Sequence, residues 1–200
     1  MESAVSRRDR IVTSAIEIIC DSGLEALTTK SLAMKENMNE ALLYKYFGGI
    51  EEVLVAVIDQ YVQFDDSIAS TIKGRKASYV DKLKEYFDTY ATYYGNYVEI
   101  STIELNCESL LHNYDVREKI ASSISIKRKT VEDLIAGAIE AKEITNYYSP
   151  SELATILLGS LQGILLDRRV HYHEKGLKEE ISVLLSKTLD GLVIHKDVQV

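Results

Sequence analysis

The chain has 200 residues, 46% hydrophobic and 27% charged, which is enough apolar material for one large domain or for a small domain beside a larger one. Its net charge of −8 argues against a protein that coats nucleic acid without regard to sequence, while a local basic surface stays compatible with it. No apolar run approaches the roughly 18 residues of a membrane span, and MESAVSRRDRIV shows no apolar stretch before a small-residue cleavage site, so a cytoplasmic protein away from the membrane is expected.

Cys20 and Cys107 lie far apart, belong to no Cys-x-x-Cys pair and read as buried thiols. Pro150 is the only proline, and Asn-Gly and Asp-Gly turns are few, which favours helices over a sandwich or barrel. An all-α fold of about nine helices is expected.

The first helix is predicted from about Ser6 to Asp21, with Ile11, Ala15, Ile18 and Ile19 on one face. Gly23 is placed to stop it in a left-handed cap conformation. Thr28 is the expected N-cap of a short second helix, Thr29 to Lys35, which turns Leu32 and Ala33 inward. Asn37 suits a positive φ in the turn that follows, and Asn39 is placed to cap a third helix, Glu40 to Tyr46, ended by Gly48-Gly49.

A fourth helix, Ile50 to Ile72, carries Val53, Leu54, Val57, Ile58 and Tyr61 on one stripe. A fifth spans Ala77 to Tyr94 and a sixth Val98 to His112. The segment Val116 to Ser123 leads into a seventh, Ile124 to Lys142. Ser149-Pro150-Ser151-Glu152 combines a cap, a proline at the first helical position and a capping box, and so starts an eighth helix running to His173. A ninth follows Gly176, from Leu177 to Ile194.

Two short helices joined by a tight turn inside a three-helix unit have the form of a helix-turn-helix, whose second helix lies in the DNA major groove. Thr28 and Thr29 sit at a helix N-terminus that favours a phosphate, with Lys30 close by. The third helix offers Asn39, Glu40, Ala41, Tyr44, Lys45 and Tyr46 as candidate DNA contacts. Tyr44 and Tyr46, two apart, cannot both face one core, whereas Leu43 and Phe47, four apart, can. Arg7, Arg8 and Arg10 open the first helix within reach of a neighbouring backbone. Residues 1–54 nevertheless hold six Lys/Arg against nine Asp/Glu.

The stretch Arg10-Ile-Val, Ala15, Gly23-Leu24, Leu27-Thr28-Thr29-Lys30-Ser31-Leu32-Ala33, Leu43-Tyr44-Lys45-Tyr46-Phe47, Glu51-Glu52-Val53-Leu54 resembles the DNA-binding domain of the TetR (tetracycline-repressor) family. It covers about a quarter of the chain. Three positions depart from that pattern: Asn37 stands where Gly is usual, Leu42 where Thr is frequent, and Ile50 where Lys is usual. The resemblance implies a helix-turn-helix domain over 1–50 and a helical effector-binding and dimerisation domain over 51–200. It further implies a homodimer on double-stranded operator DNA and a small-molecule effector that sets operator affinity.

Tyr79, Leu83, Tyr86, Tyr90, Tyr93 and Tyr97 form one aromatic face of the fifth helix. Core packing with hydroxyls at the rim is one reading of it. The resemblance gives the other, an effector pocket with Tyr86, Tyr90, Tyr93, Tyr94, Ile103 and Cys107 as candidate lining. Glu104, Glu108 and His112, at i, i+4 and i+8, are either a solvated acidic stripe or a divalent-metal site. His171 and His173, two apart at a helix end, diverge and carry no expected chemistry. Leu157, Leu161, Ile164, Leu185 and Leu189 are candidates for the four-helix dimer interface that the resemblance implies, with intramolecular core as the alternative.

No Gly-rich phosphate loop, nucleophile elbow or His-Glu metal motif is present in the sequence, so neither an enzyme nor a cofactor is expected. A helical interaction protein that keeps the fold but has weakened or lost operator binding is the rival reading, favoured by Ile50 and the acidic N-terminal balance.

Overall fold

The computed structural model describes residues 6–194. Residues 1–5 and 195–200 lie outside them, and with them the start of the segment read for a signal and the outer limits of the two expected domains. Among the described residues there are ten α-helices and no strand apart from one isolated bridge. They are α1 (Arg7–Ser22), α2 (Thr29–Lys35), α3 (Glu40–Leu43), α4 (Ile50–Gly74), α5 (Tyr79–Asn96), α6 (Val98–Leu105), α7 (Cys107–Leu111), α8 (Arg117–Glu140), α9 (Pro150–Val170) and α10 (Leu177–Asp190). No helix among them is long and apolar enough to cross a membrane.

Ten helices replace the expected nine because the sixth breaks. The Asn106 side-chain amide donates to the Thr102 carbonyl at 2.7 Å, and its backbone amide is shared between Thr102 and Ile103. A side chain competing for a helical carbonyl in this way ends α6 just before α7 begins. The segment expected to lead into the seventh helix is instead its first part. Val116, Ile120, Ser123, Lys127 and Thr130 are buried at helical spacing, so one continuous stripe carries α8 through Ser123.

The chain divides by packing into two compact units, Met1–Phe64 with Tyr97–Ser123 and Asp65–Asn96 with Ile124–Val200. Residues of α4 and α8 belong to both. In the first unit α1 packs on α2 and α6, around Ile11, Ile19, Leu32, Leu43 and Phe47. Val53, Val57 and Ile58 of α4 are fully buried in this unit, so its packing extends beyond residue 50. Gly23 ends α1 at φ +86°, its amide donating to the Ile19 carbonyl at 3.0 Å. Its ψ of 168° is extended rather than the left-handed helical cap expected.

In the second unit α10 packs on α5 and α9. The Glu143 carboxylate accepts the amides of Tyr79 (3.2 Å) and Val80 (2.9 Å), so the loop after α8 caps the start of α5 with negative charge. Ile144 and Val193 form the isolated bridge. Because α9 stops at Val170 and His171 is extended, the following loop folds back. His171 and His173 then meet at Asp167 (2.9 and 3.1 Å) instead of diverging, and His173 also reaches Glu180 at 2.7 Å.

Candidate functional site

The helix-turn-helix is built from reciprocal caps. The Thr28 hydroxyl accepts the Ser31 amide and the Ser31 hydroxyl accepts the Thr28 amide, each at 3.0 Å, which fixes the start of α2. Asn37 takes φ +50° in the turn, a conformation Asn adopts at low cost. The Asn39 carboxamide oxygen then accepts the Leu42 amide at 2.7 Å and starts α3. α3 is one turn of α-helix, ending at Leu43 instead of Tyr46. Residues 44–46 continue as tight turns, held by Tyr44 N–H to Glu40 C=O at 3.2 Å and Phe47 N–H to Leu43 C=O at 3.1 Å.

Leu43 and Phe47 are 1% exposed and anchor this segment to the core of the first unit. The candidate contacts lie outward: Tyr44 is 54% exposed, Thr28, Lys30, Asn39, Glu40, Ala41 and Lys45 are exposed, and Thr29 and Tyr46 are half-buried. The Thr29 hydroxyl donates to Glu40 at 2.7 Å, tying the start of α2 to the start of α3.

Two of the arginines expected to reach a DNA backbone have partners within the unit. Arg8 donates to the Tyr46 carbonyl and to Glu52 at 2.9 Å, and its guanidinium stands 4.0 Å from the centre of the Phe47 ring. Glu52 in turn accepts the Gly48 amide at 2.7 Å. That amide, and then Arg8, hold its carboxyl below the usual glutamate value. Arg10 pairs with Glu36 at 3.3 Å, and Glu36 also accepts from Ser14 at 2.7 Å. Lys30 and Lys45 make no ion pair among the described residues. Lys30 and Lys45 are therefore exposed cations of this segment that no carboxylate among the described residues neutralises.

Of the six candidate pocket residues, the four tyrosines stand on α5 in the second unit, while Ile103 and Cys107 are buried in the first. Tyr86, Tyr90 and Tyr94 are buried with ring centres 4.9 and 5.7 Å apart along the helix, and Tyr93 is half-buried. Two of these hydroxyls bond inside the unit instead of standing at a rim. Tyr90 donates to Asp65 at 2.6 Å, and Lys127 donates to the Tyr94 oxygen at 3.2 Å and lies 4.0 Å from Asp65. Burial, with Tyr86 and Asp65 nearby, pushes the Tyr90 phenol far above its ordinary value, so it stays a neutral donor. The sequence reading missed Asp65 and Lys127. The available signal was one charged residue at the next apolar register of each helix, Asp65 four after Tyr61 and Lys127 seven after Ile120.

The acidic stripe divides. Glu104 is buried and bonded to the Tyr61 hydroxyl, whereas Glu108 and His112, beyond the break at Asn106, are exposed and 3.1 Å from each other. Among the described residues no group of three His, Cys, Asp or Glu has metal-holding geometry. Leu157, Leu161, Leu185 and Leu189 are buried within the single chain, and Ile164 is half-buried. The outward apolar residues are their neighbours, Ile156, Leu166 and Val170 on α9 and Val183 and Leu184 on α10, with Gly159 and Gly163 opening onto space. The apolar pattern on these helices is wide enough to serve two faces, and the sequence alone did not say which leucines turn inward.

The described residues thus combine a helix-turn-helix, fixed by buried leucine and phenylalanine, with a larger set of helices. The chain is similar over nearly its whole length to the ketosteroid transcriptional regulator KstR2 of Mycobacterium tuberculosis, with TM-score 0.84, 15% identity and coverage of 96% of this chain and 98% of that one. It is also similar to the TetR-family regulator PfmR of Thermus thermophilus, with TM-score 0.79, 18% identity and coverage of 93% and 100%. For the regulator FadR of Bacillus subtilis, solved with stearoyl-CoA, the values are 0.74, 17%, 93% and 98%. No family model matches the chain and no curated protein sequence is similar to it. The fold is that of the TetR-family regulators.

Proposed function

We propose that the chain is a homodimeric DNA-binding transcriptional regulator, most simply a repressor, whose operator affinity is set by a small-molecule effector in the second unit. The observation that carries this reading is the segment Leu43–Phe47. Its two apolar residues are buried, while Tyr44 and Lys45 are presented to solvent at the end of a capped helix, together with Lys30. Two copies on a near-palindromic site would place these segments in successive major grooves about 34 Å apart. A second copy would cover the outward stripe of α9 and α10. The effector would act around Tyr86, Tyr90, Tyr93 and Tyr94 by binding one arrangement of the dimer better than the other. The stearoyl-CoA in the Bacillus subtilis neighbour supports effector control without naming an effector for this chain.

Fluorescence anisotropy on duplex DNA from upstream of the chain's own gene tests the reading. Lys45→Ala should lower the salt slope by about one unit and weaken binding about tenfold. Tyr44→Ala should weaken it to a similar degree, with the helical circular dichroism of both variants unchanged. Unaltered titrations for both variants would remove the placement.

A second reading, a protein of this fold with weakened or lost operator binding, draws on a specific observation. Arg8 and Arg10 are held by Glu52 and Glu36, and Ile50 offers no cation where α4 begins. If that reading holds, the upstream duplex shows no salt-dependent binding.

A further inference from the structure

The last carbonyls of a helical segment find no partner in its own ladder and must be met from outside it. At the end of the segment Leu43–Phe47, the Tyr46 amide still donates to the Leu43 carbonyl at 2.9 Å. The Tyr46 carbonyl accepts from Arg8, 38 residues earlier in the chain. Arginine is well suited to meet such a terminal carbonyl. The same guanidinium lies 4.0 Å from the centre of the Phe47 ring, and its other terminal nitrogen donates to Glu52 at 2.9 Å. Glu52 stands in the first turn of α4, where the helix dipole favours a carboxylate. Its second oxygen accepts the Gly48 amide at 2.7 Å.

These contacts close a ring. It runs from Arg8 to the Tyr46 carbonyl, along the chain to Gly48, through Glu52 and back to Arg8. Its members come from α1, the segment after α3 and α4, all within the first unit. An ion pair between two half-exposed side chains is worth little by itself. Here the arginine holds a backbone carbonyl, an aromatic face and a carboxylate at once, and the carboxylate holds a second backbone group. The backbone is thereby fixed at residues 46 and 48, on either side of buried Phe47 and directly after the exposed Tyr44 and Lys45.

The charge of Arg8 could serve DNA directly or through this segment. A direct phosphate contact needs free guanidinium donors, yet both terminal nitrogens are engaged and the group covers Phe47. Holding the segment in one geometry before DNA arrives instead lowers the ordering cost of binding. Lysine cannot take over that task, because an ammonium has neither the fork nor the planar face.

We propose that Arg8 is a positioning residue for operator recognition, acting through the Tyr46 carbonyl and the Phe47 ring with Glu52 as its anchor, and not a phosphate contact. This role rests on the operator reading. It also reverses the sense of the Arg8–Glu52 pair, which withdraws a free cation from the surface but keeps the reading segment in place.

Arg8→Lys, Arg8→Gln and Glu52→Gln, each with unchanged circular dichroism, test it by anisotropy on the upstream duplex and by NMR of the free full chain. Arg8→Lys should bind about three- to tenfold more weakly than wild type, although a direct phosphate contact would tolerate lysine. Glu52→Gln should weaken binding to a similar degree, although removing a negative charge would by itself strengthen it. Arg8→Gln should leave the salt slope unchanged. In the free protein, the amides of residues 44–47 should lose order in Arg8→Gln and Glu52→Gln, read as lower heteronuclear NOE values. Gly48 is bonded to Glu52, so its amide signal reports that carboxyl at one remove from Arg8. The pH at which this signal titrates should rise toward 4.5 in Arg8→Gln, which removes one of the two partners that hold Glu52 below that value. Wild-type affinity in Arg8→Lys, equal or tighter binding by Glu52→Gln, a slope lower by about one unit in Arg8→Gln, or an unmoved Gly48 titration would each overturn the proposal. If wild type itself binds no duplex, the operator reading fails, and the NMR readouts alone decide whether Arg8 holds the segment.

Discussion

At Gly137 the absence of a side chain is what lets Tyr79 lie against α8. A Cβ there would fall 2.3 Å from the Tyr79 ring, far inside contact distance. Alanine normally favours a helix over glycine by about 1 kcal/mol, but the overlap costs about 1–3 kcal/mol unless the ring moves. Tyr79 is 37% exposed and Lys82 stands 5.3 Å from its ring centre, so swinging outward loses packing without being forbidden. Gly137→Ala should therefore destabilise by up to about 2 kcal/mol in urea unfolding. In a Tyr79→Ala background the same change should turn stabilising by about 0.5–1 kcal/mol. Equal effects in the two backgrounds would show that the ring is not the obstacle. Tyr79 was legible as part of an aromatic face, but its partner was not, because spacing identifies a face and never the residue opposite. The same holds for Tyr90 and Tyr94. Their periodicity predicted burial, while Asp65 and Lys127, which bind their hydroxyls, lie on other helices.

At the scale of elements, the start of α9 was the most legible boundary because its chemistry is local. Ser149 accepts the Glu152 amide at 3.3 Å, and Glu152 accepts the Ser149 amide at 2.8 Å and hydroxyl at 2.7 Å. These bonds, the hydroxyl first, hold the Glu152 carboxyl below its ordinary value of 4.5. A carboxyl with a depressed folded-state pKa stabilises the fold above its unfolded value, and that contribution is lost as the pH falls through the lower folded value. Ser149→Ala should cost about 1 kcal/mol near neutral pH. Its deficit relative to wild type should shrink between about pH 5 and about pH 3 in denaturant titrations, as protonation weakens the same contact in wild type. A deficit that stays constant with pH would mean the carboxylate contributes nothing. The boundaries that were misread have non-local or competing causes. Asn106 ends α6 with a side-chain bond that helical periodicity does not register. α3 gives way to tight turns after Leu43, and these still carry Phe47 to the core beside it.

For the whole molecule, the helix-turn-helix and the all-helical plan were readable because caps, turn residues and apolar period agree with one another. Which apolar residues of α9 and α10 turn inward was not, since a leucine facing the chain's own core and one facing outward look alike in sequence. The structure separates inward from outward residues by depth. Leu161 is 6% exposed, whereas Leu166 is 57% and Val170 is 69% exposed. Ile156, Gly159, Gly163, Leu166 and Val170 recur at spacings of three and four, so they share one stripe of α9. Gly163 has nothing within 4 Å of an added Cβ, so a side chain there disturbs no contact within the protomer. In a two-fold dimer the same stripe meets its copy, and a carboxylate placed in it confronts an apolar partner or its own equivalent. Gly163→Glu should accordingly weaken the dimer about a hundredfold or more in sedimentation equilibrium, while its unfolding free energy, extrapolated to the monomer, holds or rises by about 0.5 kcal/mol through helix propensity. Leu161→Ala should do the reverse, costing about 2–5 kcal/mol of stability with the dimer intact below its unfolding transition. A Gly163→Glu protein that sediments as wild type, or a Leu161→Ala protein that dissociates at full stability, would move the contact surface back to the leucines. If the stripe is the dimer surface, the monomeric Gly163→Glu protein also loses the fixed spacing of its two recognition segments. It should then bind a half-site as wild type does and the full site no better than that half-site.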